Sequence, residues 1–286
     1  MLNNFTPYPT YEKAIFVGDK ACEYLAALKI YAYGLIGGDV PSMELLHPQE
    51  KPLECVACAM HNKPKILKAA IDKLPADYVL LEDNHREELN PATMKDKLES
   101  EGVDVKILDV EGSVPEVLRR AGALYRCEKH AERVISDYET RFEEVAKFKN
   151  EIAAGQRLLI LLGIRQPVTL DTYLFAVTSS SQLTQTLQKH YGIVNAVETD
   201  PEKEMIPGIV EVEDMKKLLA LKPDAIALCG DALCCAKAVE NACKADPQLR
   251  AIKAIEEQKL WPLPYYCEAL AWREPQILQV WGQALK

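Results

Sequence analysis

The nine cysteines of this 286-residue chain are its most obvious candidates for chemistry. Cys55 and Cys58 form a Cys-x-x-Cys pair, which has the spacing of half a soft-metal or redox site. Cys234 and Cys235 are adjacent in a second cluster. Two thiolates from each cluster would suit iron–sulfur, zinc or copper, so the sequence predicts a cysteine-bound metal at these four positions. The alternative, that these cysteines pack as small hydrophobes in a core, stays open.

A second set of candidates follows the ends of predicted strands, where open parallel sheets bind ligands. Tyrosine and tryptophan suit a flat, partly apolar ligand, and arginines pair with carboxylates, although each of these side chains also suits core packing or a solvated surface. Walker A, GxGxxG, GxSxG and HExxH motifs are absent from the sequence, so no catalytic residues are predicted. The predicted ligand-binding residues are Gly37, Cys58, His61, Glu82, Asn84, Arg165, Thr178, Ser179, Asp231, Tyr265, Tyr266, Trp272 and Arg273.

The candidate residues lie at the ends of short apolar runs, which alternate along the chain with segments of helical periodicity. The runs end in Gly, Asp or Glu, as strands do before they turn into a helix, and this alternation predicts two α/β lobes with parallel sheets. In the first lobe, strands are expected at 14–17, 31–36, 53–59, 76–81 and 103–108. In the second lobe, they are expected at 157–162, 173–177, 225–229 and around 260–263.

One long helical stretch lies between the lobes. Residues 115–150 contain a single glycine, Gly122, and their apolar residues recur at steps of three, four or seven. We therefore predict an N-terminal α/β lobe over 1–114, one long connecting helix over 115–150 and a C-terminal α/β lobe over 151–286. Two lobes on a stiff helix would leave a ligand cleft between them.

Composition narrows the classes of partner and the compartment. A net charge of −9 argues against nucleic acid, and no apolar run approaches the length of a membrane span. The N-terminus lacks the pattern of a secretory signal. The favoured expectation is a cytoplasmic protein if Met1 is the native start, which the odd number of cysteines supports, and an extracytoplasmic one if a leader has been removed.

Several phrases occur in an order that resembles one family. They are Leu-Pro-Ala-Asp-Tyr-Val-Leu at 74–80, Glu-Gly-Val-Asp-Val at 101–105, Leu-Lys-Pro-Asp-Ala-Ile at 221–226, and 249–263, which contains Lys-Leu-Trp-Pro-Leu. Together with the order lobe, helix, lobe, they resemble the substrate-binding proteins of ABC importers for vitamin B12, haem and iron–siderophore complexes. The resemblance covers nearly the whole chain.

This resemblance implies a non-enzymatic protein that captures a metal chelate of iron or cobalt in the cleft, requires no cofactor and delivers the chelate to an ABC permease. Family members dock through one exposed glutamate on each lobe, but the corresponding places here, 61–65 and Lys216-Lys217, hold no acid. The alternative is a cytosolic cofactor-handling protein, chelatase-like or nitrogenase-component-like, with a cysteine-ligated metal or cluster.

Overall fold

The computed structural model describes residues 10–37, 51–54, 56–62, 65–74, 76–165 and 169–286. The described chain divides into two compact units. The first unit contains the described residues up to Thr140 together with Glu268–Trp272. The second unit contains Arg141–Cys267 and Arg273–Lys286. Cys55, one of the predicted metal ligands, lies outside the described residues.

The first unit is built on a five-stranded sheet in which every neighbouring pair of strands is parallel. Its elements are β1 (Thr10–Val17), α1 (Asp19–Ala27), β2 (Ile30–Ile36), β3 (Lys51–Glu54), α2 (Val56–Asn62), α3 (Lys65–Lys73), β4 (Tyr78–Asp83), α4 (Lys95–Ser100), β5 (Val105–Asp109) and α5 (Val114–Leu124). The strand order is β3-β2-β1-β4-β5. A short 3₁₀ helix, Pro91–Met94, precedes α4.

The central strands of this sheet are apolar because helices cover both of their faces. Ile15, Val17, Val79 and Leu81 are fully buried and share a core with Leu67 of α3. A parallel sheet that is buried on both faces reads as a continuous apolar run, and this is why the sequence indicated β1 and β4 clearly.

The predicted strand 53–59 is wrong over most of its length. The strand β3 ends at Glu54, and Val56–Asn62 forms the helix α2. Pro52 cannot donate a ladder hydrogen bond, and it is tolerated because β3 is the edge strand of the sheet. The apolar run after Pro52 is too short for its periodicity to distinguish a strand from a helix.

The helical stretch predicted for 115–150 is two helices. The helix α5 ends at Leu124, and α6 (Glu128–Phe148) runs for 21 residues across the boundary between the two units. The break follows Tyr125, whose hydroxyl lies 3.1 Å from that of Tyr78, and Arg126 takes a left-handed φ of 55°. Packing of Tyr125 in the first unit therefore interrupts a sequence whose helical periodicity continues without interruption.

The second unit also has a central sheet, of order β12-β11-β6-β7-β10-β9, with β8 paired to β6. Two 3₁₀ helices, Pro247–Ala251 and Glu268–Arg273, lie between its later elements, and most of the second belongs to the first unit. The elements are β6 (Arg157–Arg165), β7 (Thr172–Val177), α7 (Gln182–Tyr191), β8 (Val194–Asn195), β9 (Glu204–Ile206), β10 (Ile209–Glu211), α8 (Met215–Leu219), β11 (Ala225–Gly230), α9 (Ala232–Ala245), α10 (Lys253–Glu256), β12 (Leu260–Pro262) and α11 (Glu274–Leu285).

This second sheet is mixed, whereas the sequence analysis predicted a parallel one. Strand β6 is parallel to β8 and β11, and β11 is parallel to β12. Strands β7, β10 and β9 are joined to β6 by antiparallel pairs. The reason is the connection 166–171, which is too short for the crossover of a dozen or more residues that parallel neighbours need. The predicted class, two α/β lobes with a long helix between their sequences, is confirmed.

Candidate functional site

The carboxyl ends of β1, β4 and β5 meet at one edge of the first sheet, and a buried carboxylate lies there. Glu82 Oε2 accepts a hydrogen bond from the backbone N–H of Ala21 at 2.9 Å, and its Oε1 accepts one from Asn84 Nδ2 at 3.2 Å. Gly18 has a φ of +131°, and a Cβ there would lie 2.2 Å from the Cβ of Glu82. The strand β1 therefore needs glycine at its end to admit this side chain.

Burial raises the pKa of Glu82, and the N–H of Ala21 only partly opposes this effect. The structure thus brings the predicted residues Glu82 and Asn84 into direct contact, and both are buried. Their hydrogen bonds join the end of β4 to the start of α1. Gly37 lies just beyond β2, and a Cβ there would be 2.9 Å from Asp19 Oδ1.

Two cations at the same edge hold one carboxylate. Lys20 Nζ lies 2.5 Å from Glu268 Oε1, and Arg86 donates to Glu268 Oε2 at 2.7 Å. Burial alone would raise the pKa of Glu268, but the hydrogen bond and charge of Lys20, with the charge of Arg86, lower it. These three residues are not among the candidates named from the sequence, although Lys20 and Arg86 each follow a strand by three residues. We call the two cations the Lys20–Arg86 pair.

The remaining candidates of the first unit are spread over separate elements. Trp272 donates from Nε1 to Glu23 Oε2 at 3.0 Å, which fixes its ring against α1. His61 and Cys58 belong to α2 and not to a strand end, and His61 is exposed. His85, which follows β4, has Nε2 3.4 Å from Asp109 Oδ1, and its side chain is more than half exposed.

In the second unit, an arginine and an aspartate meet where β6 and β11 end. Arg165 Nε donates to Asp231 Oδ2 at 2.6 Å, and Asp231 Oδ1 accepts the N–H of Cys234 at 3.0 Å, so Asp231 caps α9. Asp231 also donates its backbone N–H to Gly163 O at 2.7 Å. The second unit thus also has a sheet edge at which two predicted residues, Arg165 and Asp231, are in direct contact.

The predicted hydroxyl residues already have partners within their own unit. Thr178 is fully buried, and its hydroxyl donates to Glu204 Oε1 at 2.7 Å. Ser179 Oγ lies 2.9 Å from Thr199 Oγ1. Hydrogen bonds from Gly208 and Thr178 lower the pKa of Glu204. These contacts fasten the chain after β7 to the start of β9 and to Thr199 before it, and Glu204 in turn accepts the N–H of Gly208 in the turn before β10.

The predicted aromatic loop lies after β12. Tyr266 is buried and donates to Glu274 Oε2 at 2.7 Å, whereas Tyr265 is partly exposed and burial raises its pKa to about 12. Arg273 immediately precedes α11. Of the two tyrosines, Tyr265 is the less buried residue.

The described cysteines provide little support for a bound metal. Cys235 is fully buried on α9, with Sγ 3.7 Å from the carbonyl of Cys229, and burial raises its pKa to about 12. A thiol must lose its proton to bind a metal, and this shift opposes that loss. Within the described ranges, no group of three or more His, Cys, Asp or Glu residues is arranged to hold a metal ion. The four-cysteine site stays a prediction, since Cys55 and the side chain of Cys58 are not described.

Comparison with solved structures shows which known proteins share the fold of this chain. No protein-family model matches the chain, and the search of curated proteins found no match. Among solved structures, the periplasmic haem-binding protein RhuT from Roseiflexus sp. RS-1 is 15% identical, with a TM-score of 0.64 over 96% of this chain and 98% of its own. In the part of the chain that is described, no helix has the length and apolarity to cross a membrane.

Two further matches concern other ligands. The periplasmic vitamin B12 binding protein BtuF of Vibrio cholerae is 14% identical, with a TM-score of 0.59 and 98% of both chains covered. The iron-uptake system-binding protein FeuA from Bacillus subtilis is 18% identical, with a TM-score of 0.59 over 99% of this chain and 96% of its own. At these identities the likeness concerns the fold, and the chain has the fold of these two-lobed binding proteins.

Proposed function

We propose that this protein is a non-enzymatic binding protein for a metal chelate of the haem, corrinoid or ferric siderophore type. The observation that supports this most directly is the extent of the fold match, which covers nearly the whole of both chains for proteins described as binding haem, vitamin B12 or taking up iron. A fold can host several functions, so the function also depends on the residues at the binding site.

The strand ends supply polar and aromatic groups of the kind that a chelate needs. Arg165 offers a guanidinium, the partly buried Tyr265 offers a phenol, and the Lys20–Arg86 pair offers two further charges. Aromatic rings provide contact area, and charged groups fix orientation. The cleft between the lobes, which the sequence analysis named as the ligand's place, stays a prediction.

Delivery to an ABC permease is part of this proposal. Another match is described as an ABC transporter substrate-binding protein from Listeria monocytogenes, with a TM-score of 0.54. Uptake requires an extracytoplasmic location, whereas the sequence analysis favoured the cytoplasm. Fractionation of the native host cells distinguishes the two, and recovery in the cytoplasm would overturn the role in uptake. Because exposed Lys216 and Lys217 stand where a docking glutamate was expected, docking must use other acids.

A thermal-shift screen tests the binding function. The purified protein is mixed separately with haemin, cyanocobalamin and ferric siderophores, and the metal-free siderophores serve as controls. A chelate at 100 times its dissociation constant should add about 2.7 kcal/mol to the free energy of unfolding. Stabilisation by one chelate, and not by its metal-free control, supports the proposal.

The same preparation tests the cysteine-ligated alternative. Stabilisation by none of the chelates would refute the binding function. Metal that survives desalting, and disappears when Cys55, Cys58, Cys234 and Cys235 are changed to serine, would favour the cofactor-handling protein. Elemental analysis before the screen therefore separates the two.

A further inference from the structure

Glu268 pairs with two cations, Lys20 and Arg86, that lie far from it in the sequence. Its two carboxylate oxygens are divided between Lys20, in the first turn of α1, and Arg86, beyond the end of β4. Lys20 also has Glu111 Oε1 at 3.7 Å. The segment Glu268–Trp272 belongs to the first unit, although the chain on both sides of it belongs to the second unit.

The carboxylate is accessible, whereas one of its cations is not. The side chain of Lys20 is only 12% exposed, but those of Glu268 and Arg86 are 46% and 58% exposed. An exposed ion pair contributes little to stability, so the contact with Arg86 is easily exchanged. A shielded ammonium group that lost its carboxylate would be costly to leave unpaired. The arrangement therefore favours replacement of Glu268 by another carboxylate over its simple removal.

The position of the pair matches the place where this class of sheet binds ligands. Lys20 and Arg86 follow the carboxyl ends of β1 and β4, beside the buried Glu82. If Glu268 moved away, Lys20 would keep its longer contact with Glu111 and the nearby buried Glu82, and both cations would lose their close carboxylate partner. An entering anion would restore the charge balance that Glu268 provides now.

We propose that the Lys20–Arg86 pair recognises a carboxylate of the bound chelate and that Glu268 occupies this place until the chelate displaces it. The inference rests on the proposed function and narrows the ligand class. A chelate with free carboxylates, such as a porphyrin with propionates or a carboxylate siderophore, fits this site. A corrinoid, whose side chains are mostly amides, carries no such group and leaves Lys20 and Glu268 paired.

The test compares haemin, which has two free propionates, with haemin dimethyl ester, which has none. Calorimetric titrations use the whole protein, the variant Glu268→Gln and the matched control Glu240→Gln, which removes an exposed carboxylate of α9 that is paired with Lys244. Glu268→Gln should bind haemin about 1.5- to fivefold more tightly, the range that the 0.2–1 kcal/mol of one exposed ion pair gives. Its affinity for the ester, and the affinity of Glu240→Gln for both ligands, should equal that of the unchanged protein.

Two further variants test the cations, and citrate tests the source of the carboxylate. Lys20→Gln and Arg86→Gln should each weaken haemin binding and leave ester binding unaltered. Citrate without metal tests whether the Lys20–Arg86 pair accepts any small carboxylate. We expect citrate to compete with haemin only weakly, at millimolar concentrations. Complete displacement of haemin by micromolar citrate would overturn the assignment to a chelate.

The outcomes separate this inference from the proposed function. If the unchanged protein binds haemin and its ester equally, and Glu268→Gln changes neither affinity, chelate binding stands and the carboxylate site is refuted. If no variant binds any chelate, the proposed function itself fails. If Glu268→Gln is too unstable to titrate, the test uses the unchanged protein and measures the ratio of its affinities for haemin and for the ester. Added salt screens the attraction between the cations and the propionates, so a ratio that does not fall with salt also refutes the site.

Discussion

Replacement of Asp231 tests whether the edge of the second sheet is assembled as the structure indicates. This carboxylate has two partners, the N–H of Cys234 on α9 and the guanidinium of Arg165. Loss of a helix cap typically costs about 1 kcal/mol, and an exposed ion pair about 0.2–1 kcal/mol. Asp231→Ala should therefore destabilise the second unit by about 1.5 kcal/mol.

Two matched variants separate these contributions. Asparagine caps helices about as well as aspartate, so Asp231→Asn should keep the cap and lose only the ion pair, at about 0.5 kcal/mol. Arg165→Gln should cost a similar amount, and the double variant should cost less than the sum. The pKa of Asp231 is lowered by the Cys234 N–H and by Arg165. The ion-pair contribution is therefore complete above the ordinary value of 3.8 and disappears as the pH falls further.

Native-state hydrogen exchange is the appropriate assay because a protein of two units need not unfold in a single transition. The amide of Cys234 should exchange roughly tenfold faster in Asp231→Ala than in the unchanged protein, and only about twofold faster in Asp231→Asn. Equal acceleration in both variants would show that the carboxylate does not cap α9. Equal stability of the unchanged protein and Asp231→Asn at pH 7 would show that the pair with Arg165 contributes nothing.

Three further substitutions or labels test other parts of the structure. Gly18→Ala should destabilise the first unit by about 2–4 kcal/mol, since its Cβ would overlap that of Glu82, whereas Gly102→Ala, with positive φ but open space, should cost about 1 kcal/mol. Urea unfolding of both variants checks this, and equal costs would contradict it. Because burial raises the pKa of Glu82, the charged form weakens folding as the pH rises above the ordinary 4.5. Glu82→Gln should therefore gain stability relative to the unchanged protein between pH 4 and pH 7, and a constant difference in urea midpoints would refute this. Iodoacetamide at about pH 8 should label Cys234 well before Cys235, whose thiol is buried with a raised pKa; mass spectrometry showing equal rates would argue otherwise.

The predicted elements were most accurate where burial alone decides the pattern. The apolar runs that became β1, β4 and β11 were recognised because both faces of a central parallel strand are buried. The break between α5 and α6 could not be recognised, because the helical period continues through Tyr125, whose contacts with Tyr78 and Phe16 join residues far apart in the chain. The antiparallel pairing of β7 was within reach of the sequence, since the connection before it is short.

The candidate residues divide in a similar way. Glu82, Asn84, Arg165 and Asp231 were named because they follow strand ends, and the structure places each pair in contact. Thr178 was named for the same reason, but its side chain is directed into the unit and bonded to Glu204. Position along a strand predicts which sheet edge a residue occupies, whereas the direction of its side chain depends on what packs beside it.

The sequence by itself determined the class of this protein: two α/β units, a long helix between their sequences and the strand ends at which polar residues gather. These features depend on local period and on burial, which neighbouring residues encode directly. Only the tertiary structure decided that Glu268 would meet Lys20 and Arg86. That contact joins residues far apart in the chain, and its free energy arises from desolvation and charge at one place in space, which no local pattern of residues records.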